Sequence, residues 1–295
     1  MRQKPSPPRA GRSPLAKPPR TAPSPRPQQG PKTSAPVNQG PRARTSARVP
    51  LEETQKVYGV SAVLAVMAQR PEQVLSIAYT RATRKPLAAV LREAARRRIA
   101  YREVEDDELA RIAGSLHHEG VCVLALEPAA PDLETMARRT QPSGLIVALD
   151  GVQNPHNIGA ILRSAAFFGA VGLVLGGQRG ARAEGLPPAA LRVAEGGAEH
   201  VGVLRVSDLM PALRQLAAAG LSIVGADAHA KRSLTELRWP TRAVLVLGSE
   251  AEGLAREVRE RCDVTVRVVG RGAVESLNVS VAAGVMLASF AASVS

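Results

Sequence analysis

Five polar residues in this 295-residue chain stand where three apolar runs give way to loops or helices: Asn157, Arg163, Glu250, Ser276 and Asn278. A permanently charged guanidinium, a carboxylate, two carboxamides and a hydroxyl form a set that can hold an anion, handle a proton and orient a ligand. The first segment is Leu145-Ile-Val-Ala-Leu-Asp-Gly-Val-Gln-Asn-Pro-His-Asn-Ile-Gly-Ala-Ile-Leu-Arg163. Its short apolar run reads as a buried strand, and Ile158, Ile161, Leu162 and Ala165 then recur at helical spacing. Asn157 stands as the expected N-cap of that helix. Arg163 lies off the apolar stripe, one turn beyond Gly159, where a missing side chain would let a ligand approach. The second segment, Ala243-Val-Leu-Val-Leu-Gly-Ser-Glu-Ala-Glu-Gly253, is another strand, ending in Gly248 and followed by Glu250. The third, Gly270-Arg-Gly-Ala-Val-Glu-Ser-Leu-Asn-Val-Ser-Val-Ala-Ala-Gly284, is a loop with free backbone groups that runs into a helix of small residues. Residues 276–295 carry no charge, so that helix must be covered on most sides, within a domain or at a subunit contact. Taken singly, Asn157 or Ser276 could be a plain helix cap and Glu250 a loop carboxylate. Together the three units read as one site.

Elements that would position such a site follow along the chain. Helices are expected over 57–67, 87–95, 106–112 and 208–219. Strands are expected over 74–80, 99–104, 121–126, 171–175, 221–226, 244–248 and 264–268. This alternation predicts an α/β protein with a small domain over 51–127, a Pro-containing linker over 128–143 and a larger domain over 144–295. No internal repeat is present. Residues 1–50 hold 11 Lys/Arg, no Asp/Glu and 13 of the 23 prolines. Taking those eleven from the chain's 39 basic residues leaves 28 against 26 acidic, so the +13 net charge belongs to the tail. With almost no large apolar residue, the tail is expected to be disordered and to suit a polyanion such as RNA, or to serve as a solubilising segment. Its prolines disfavour a transit helix, and no secretory h-region or convincing membrane span is seen. Two cysteines, Cys122 and Cys262, imply no disulfide framework and fit a reducing cytoplasm. The five histidines show no metal-ligand spacing with them, so no metal is expected.

The three segments resemble the signature motifs of the SpoU, or TrmH, family of ribose 2′-O RNA methyltransferases, in the SPOUT class. The likeness runs from about residue 144 to the C-terminus, with a weaker one over about 56–127. It departs at Val268-Val-Gly270, where the family commonly has an Ile-Pro-Met-like run. It departs again in Arg192-Val-Ala-Glu-Gly-Gly-Ala-Glu-His200, which carries an extra acidic residue where many relatives have a small one. The resemblance implies a trefoil-knotted α/β domain at the C-terminal end, an L30e-like substrate-binding domain before it, S-adenosylmethionine as cofactor, RNA as partner and a homodimer. It places Asn157, Arg163, Glu250, Ser276 and Asn278 at the family's functional positions, and Gly248, Val268 and Leu277 on the loops that hold the cofactor. Arg163 is then expected as a phosphate clamp and alkoxide stabiliser rather than a base, since a guanidinium pKa lies above about 12. Glu250 would orient Arg163 or relay a proton. His118-Glu-Gly120 resembles a short family motif and reads as packing, while Glu199 is a candidate contributor to site architecture. Arg96, Arg97 and Arg98, more than a helix C-terminus needs, are candidate RNA phosphate contacts. With only seven aromatic residues, none paired as a stacking platform, RNA would be read by charge and shape. Two other readings stay open: a non-catalytic RNA-binding or ribosome-assembly factor on the same fold, and a nucleotide-binding oxidoreductase suggested by Gly176-Gly-Gln-Arg-Gly180.

Overall fold

The computed structural model describes residues 53–177 and 185–294. The basic tail, and all but the first two residues of the 176–180 run, lie outside the described residues. The first sheet begins with β1 (Thr54–Tyr58), followed by helix α1 (Val60–Gln69), β2 (Val74–Tyr79) and α2 (Ala88–Arg97). Strand β3 (Ala100–Glu103), helix α3 (Asp106–Ala113) and β4 (Val121–Leu126) complete it. Its strand order is β1-β4-β2-β3, with β4 antiparallel to both neighbours and β2 parallel to β3. Val57 and Tyr58, expected in a helix, belong to β1 and pair with Val123 and Cys122. The partner strand lies more than sixty residues away, and a long-range pairing overrides the local helical spacing. Gly59, at φ 95, makes the sharp turn into α1.

Residues 128–143 were expected to be a plain linker, and they contain helix α4 (Leu133–Arg139). Asp132 caps it by accepting from the Thr135 amide at 2.6 Å. Met136 and Thr140 are fully buried. Arg242 donates to Thr140 Oγ1 and to the Ala137 carbonyl, each at 3.0 Å, tying the helix end to the next sheet.

That second sheet comprises β5 (Gly144–Asp150), β6 (Gly172–Gly176), β7 (Gly202–Arg205), β8 (Ser222–Ala226), β9 (Arg232–Ser233), β10 (Arg242–Gly248) and β11 (Val264–Arg267). The order is β7-β6-β5-β10-β8-β11-β9 and every pairing is parallel. Helices α5 (Pro155–Phe167), α6 (Pro188–Val193), α7 (Leu209–Ala218), α8 (Arg256–Arg261) and α9 (Val279–Val294) connect or flank the strands. A central parallel strand is covered on both faces, which is why β5 reads as an unbroken apolar run. Leu145, Val147 and Leu149 share a core with Ile158, Ile161 and Leu162 of α5 and Met286, Leu287 and Phe290 of α9. Ile146 and Ala148 face the opposite way, into a core with Met136, Leu213, Leu216 and Val258. The α5–α9 core continues into the first sheet through Val63, Val66 and Val123. Val281 and Val285 of uncharged α9 remain 52% and 40% exposed. Among the described residues, no helix is long and apolar enough to cross a membrane.

Candidate active site

Parallel strands place all their C-terminal ends at one edge, where the loops of an open α/β sheet gather ligand-binding groups. Here β5 and β10 are hydrogen-bonded neighbours, so the loops after Asp150 and Gly248 start side by side. Asn154 rather than Asn157 caps α5: its side chain accepts from the His156 amide at 2.9 Å, with Pro155 in the first turn. The Asn-Pro pair was a visible signal for that boundary. Asn157 falls in the first turn of the helix, is 7% exposed, and is thereby free to face another element. That element is the start of α9. Asn278 Nδ2 donates to Asn157 Oδ1 at 3.1 Å and also to Glu250 Oε1. The Val279 amide donates to the same Glu250 oxygen at 3.4 Å. Asn278 Oδ1 accepts from the Ser280 amide at 2.9 Å and from Ser280 Oγ at 2.5 Å, so Asn278 is also the cap of α9. Ser276 lies upstream of the cap, exposed, and its hydroxyl takes no part in the cluster. One carboxamide therefore joins the three motif segments, using both donor and acceptor ends.

Arg163 stands apart from this cluster. It is six residues beyond Asn157, an axial offset of about 9 Å along α5. Its Nη1 donates to Glu195 Oε1 at 2.7 Å, so its carboxylate partner is Glu195 and not Glu250. Gly159 is closed to a ligand: a Cβ there would lie 2.5 Å from the Ala190 carbonyl and 2.7 Å from Val193 Cβ. Its bareness serves the packing of α5 on α6.

A cleft of about 530 Å³ opens beside the cluster, lined among others by Asp150, Asn154, Asn157, Glu250, Glu252 and Val279. Gly248, Val268 and Leu277 do not line it. A Cβ on Gly248 would come within 2.4 Å of the backbone of Gly253 and Leu254, so that glycine admits the folded-back loop itself. The Gly253 amide donates to the Ser249 carbonyl at 2.9 Å across the same turn, and Asp150 Oδ2 accepts from the Ala255 amide at 2.8 Å. Val268 is half-buried and Leu277 is 48% exposed, flanking a loop that is exposed throughout. From residue 270 to 277 no backbone group is hydrogen-bonded within the described residues. Such a loop has donors and acceptors to spare for an adenine ring and an amino-acid moiety, so the residues present fit S-adenosylmethionine.

Arg96 and Arg97 are both engaged by Glu93 on α2, Arg96 through Nε at 2.9 Å. Hydrogen bonds from Arg96 and then Arg97 hold the Glu93 carboxyl down at about 2. Arg98 ends the helix in the left-handed region at φ 60, its amide donating to the Ala95 carbonyl and its exposed side chain without a partner among the described residues. His118 is buried, and its Nδ1 accepts from the Gly120 amide at 3.1 Å, a packing role. Among the described residues no group of three or more His, Cys, Asp or Glu is placed to hold a metal ion. Burial pushes both thiols, Cys122 and Cys262, up to about 11.

Residues 144–288 match the SpoU rRNA Methylase family, and residues 56–131 match the family described as RNA 2′-O ribose methyltransferase substrate binding. An uncharacterized tRNA/rRNA methyltransferase of Mycolicibacterium gilvum is 38% identical over 245 residues, covering 81% of this chain and 77% of its own. One from Escherichia coli is 36% identical over 236 residues, covering 80% and 67%. Among solved structures, the SpoU methyltransferase AviRb of Streptomyces viridochromogenes, in complex with AdoMet, superposes with a TM-score of 0.68. It is 26% identical, over 81% of this chain and 90% of that one. A TrmH-family protein of Porphyromonas gingivalis gives 0.63 at 25% identity, over the same shares. The chain belongs to the SpoU family of methyltransferases, and its α/β fold is that of the family's solved structures.

Proposed function

We propose that this protein acts in the cytoplasm, transferring a methyl group from S-adenosylmethionine to a ribose 2′-hydroxyl of rRNA or tRNA. The carrying observation is the convergence of Asn157, Glu250 and Asn278 on one hydrogen-bonded cluster beside a cleft, in a chain of this family. The bound donor supplies an electrophilic methyl on a sulfonium. Backbone groups of the loops carrying Gly248, Val268 and Leu277 would hold it. Asn157, Ser276 and Asn278 would orient the ribose so that its oxygen lies behind the methyl. As the new C–O bond forms and the S–C bond breaks, the hydroxyl proton must leave. Glu250, whose second carboxylate oxygen has no partner among the described residues, is the cleft carboxylate that touches the Asn157–Asn278 cluster, and it would take that proton. Arg163, offset along α5 and absent from the cleft lining, suits a neighbouring RNA phosphate better than the hydroxyl. Arg98, together with Arg96 and Arg97, would add phosphate contacts on the first sheet's domain.

The reading includes the trefoil knot and the L30e-like first domain that the family resemblance implies. It also includes a homodimer through the C-terminal part, with the exposed Val281 and Val285 of α9 as an apolar seam. Transfer of labelled methyl from S-adenosylmethionine to bulk RNA tests the activity. Incorporation into rRNA or tRNA is the expected result, and none with a folded, donor-binding protein would overturn it.

A further inference from the structure

We infer that Glu195 is a positioning residue that holds the Arg163 guanidinium in one orientation for the RNA. This rests on the reading of Arg163 as a phosphate clamp. Glu195 follows α6, and its backbone lies in the left-handed region at φ 46. A non-glycine residue there is strained, because its Cβ crowds the following carbonyl oxygen. The ion pair it makes is between side chains 59% and 45% exposed, a class that contributes little to stability. The pair therefore does not offset the strain, and its role lies in what it orients.

The turn that carries Glu195 is fixed from both sides. Gly196 is buried so tightly that a Cβ would lie 2.5 Å from Ala65 Cβ on α1. Gly197 would place one 2.9 Å from the Leu162 carbonyl and 3.1 Å from Arg163 Cα. The turn thus rests against the backbone of the residue whose side chain its carboxylate holds. Two residues later, Glu199 is gripped by Arg70, at the end of α1, through Nε at 2.7 Å and Nη2 at 3.0 Å. Those side chains are 7% and 8% exposed. Arg70 also donates to the Leu126 carbonyl at 2.5 Å and to Gln73 Oε1 at 3.1 Å. A carboxylate on so fixed a support takes one amino group of Arg163 and leaves the rest of the planar fork to an anion. Docked RNA would exclude water from this pair and strengthen it.

The test uses the full chain with Glu195→Ala, Glu195→Gln and Glu195→Gly, the last free of backbone strain at φ 46. One arm measures phenylglyoxal labelling of Arg163 in the free protein by peptide mass spectrometry. The other measures kcat and KM for methyl transfer to RNA. Glu195→Ala and Glu195→Gly should each label Arg163 several-fold faster and lose about tenfold in kcat, with KM for RNA nearly unchanged. Glu195→Gln keeps a hydrogen-bond acceptor and should recover most of the turnover. Unchanged labelling and kcat in Ala and Gly would overturn the inference. So would a lower KM for RNA, which would make Glu195 a competitor of phosphate, or a Gln variant as slow as Ala. A wild-type protein that methylates no RNA would defeat the functional reading instead, and the labelling arm would still decide whether Glu195 holds Arg163.

Discussion

Asn278 is the residue on which the site turns, because one carboxamide links Asn157, Glu250 and the first turn of α9. Asn278→Asp keeps the acceptor for the Ser280 amide but replaces the donor facing Glu250 with a like charge. Turnover should fall about 10²-fold, the scale of a misplaced catalytic group, while thermal melting moves by only a few degrees. Retained turnover in Asn278→Asp would remove the cluster from the mechanism. Arg163→Ala should also lower turnover about 10²-fold, with donor affinity by calorimetry unchanged, and Arg163→Lys should recover little because a point charge cannot replace the fork. The identities of these residues were legible because each stands at the end of an apolar run. Their partners were not: the pairing of Arg163 with Glu195, rather than Glu250, depends on a turn thirty-two residues away. The cysteines give a pH-dependent check. Burial raises both from 9.0 to about 11, so the fold favours the thiol. That contribution is fully present below pH 9 and is lost as pH rises through 11. A disulfide reagent at pH 7.5 should therefore label neither thiol rapidly in the native protein; fast labelling would contradict their burial.

Helices and strands were read most securely where a pattern was long and its partner irrelevant, as in β2, β4, α5, α7 and β10. The misreadings share a cause: β1 and α4 are short, and what stabilises them is distant. Pairing with β4 makes Val57 and Tyr58 a strand, and Arg242, about a hundred residues on, closes the end of α4. Gly159 and Gly248 were expected to admit ligand, and both instead admit protein backbone. A missing side chain announces a close approach in the sequence but not what approaches. The Arg70–Glu199 pair is the clearest long-range element contact, joining the end of α1 to the turn after α6. Arg70→Ala leaves a buried carboxylate without its partner and should cost about 3–5 kcal/mol by denaturant unfolding. A smaller loss in Arg70→Met combined with Glu199→Leu would confirm that the cost is the unpaired charge, and an equal loss would assign it to packing.

Across the whole chain, net charge is concentrated at one end. The eleven positive charges of residues 1–50 have no acidic counterpart there, so deleting them should weaken RNA binding at low salt and flatten the slope of log K against log salt. An unchanged slope would leave the tail without an RNA role. Towards the other end, Val281 and Val285 lie one turn apart and exposed near the start of α9, whereas Leu287 is 1% exposed and belongs to the core. Val285→Asp should convert a dimer to a monomer in sedimentation without unfolding it, and a wild-type monomer at micromolar concentration would refute that seam. The central claim is the acceptor atom, and nucleoside mapping of the methylated RNA tests it most directly, run beside a substrate carrying 2′-deoxyribose at the mapped nucleotide. The expected product is a 2′-O-methylnucleoside, with the deoxy substrate bound but unmethylated. A methylated base, or methyl transfer that persists on the deoxy substrate, would contradict it.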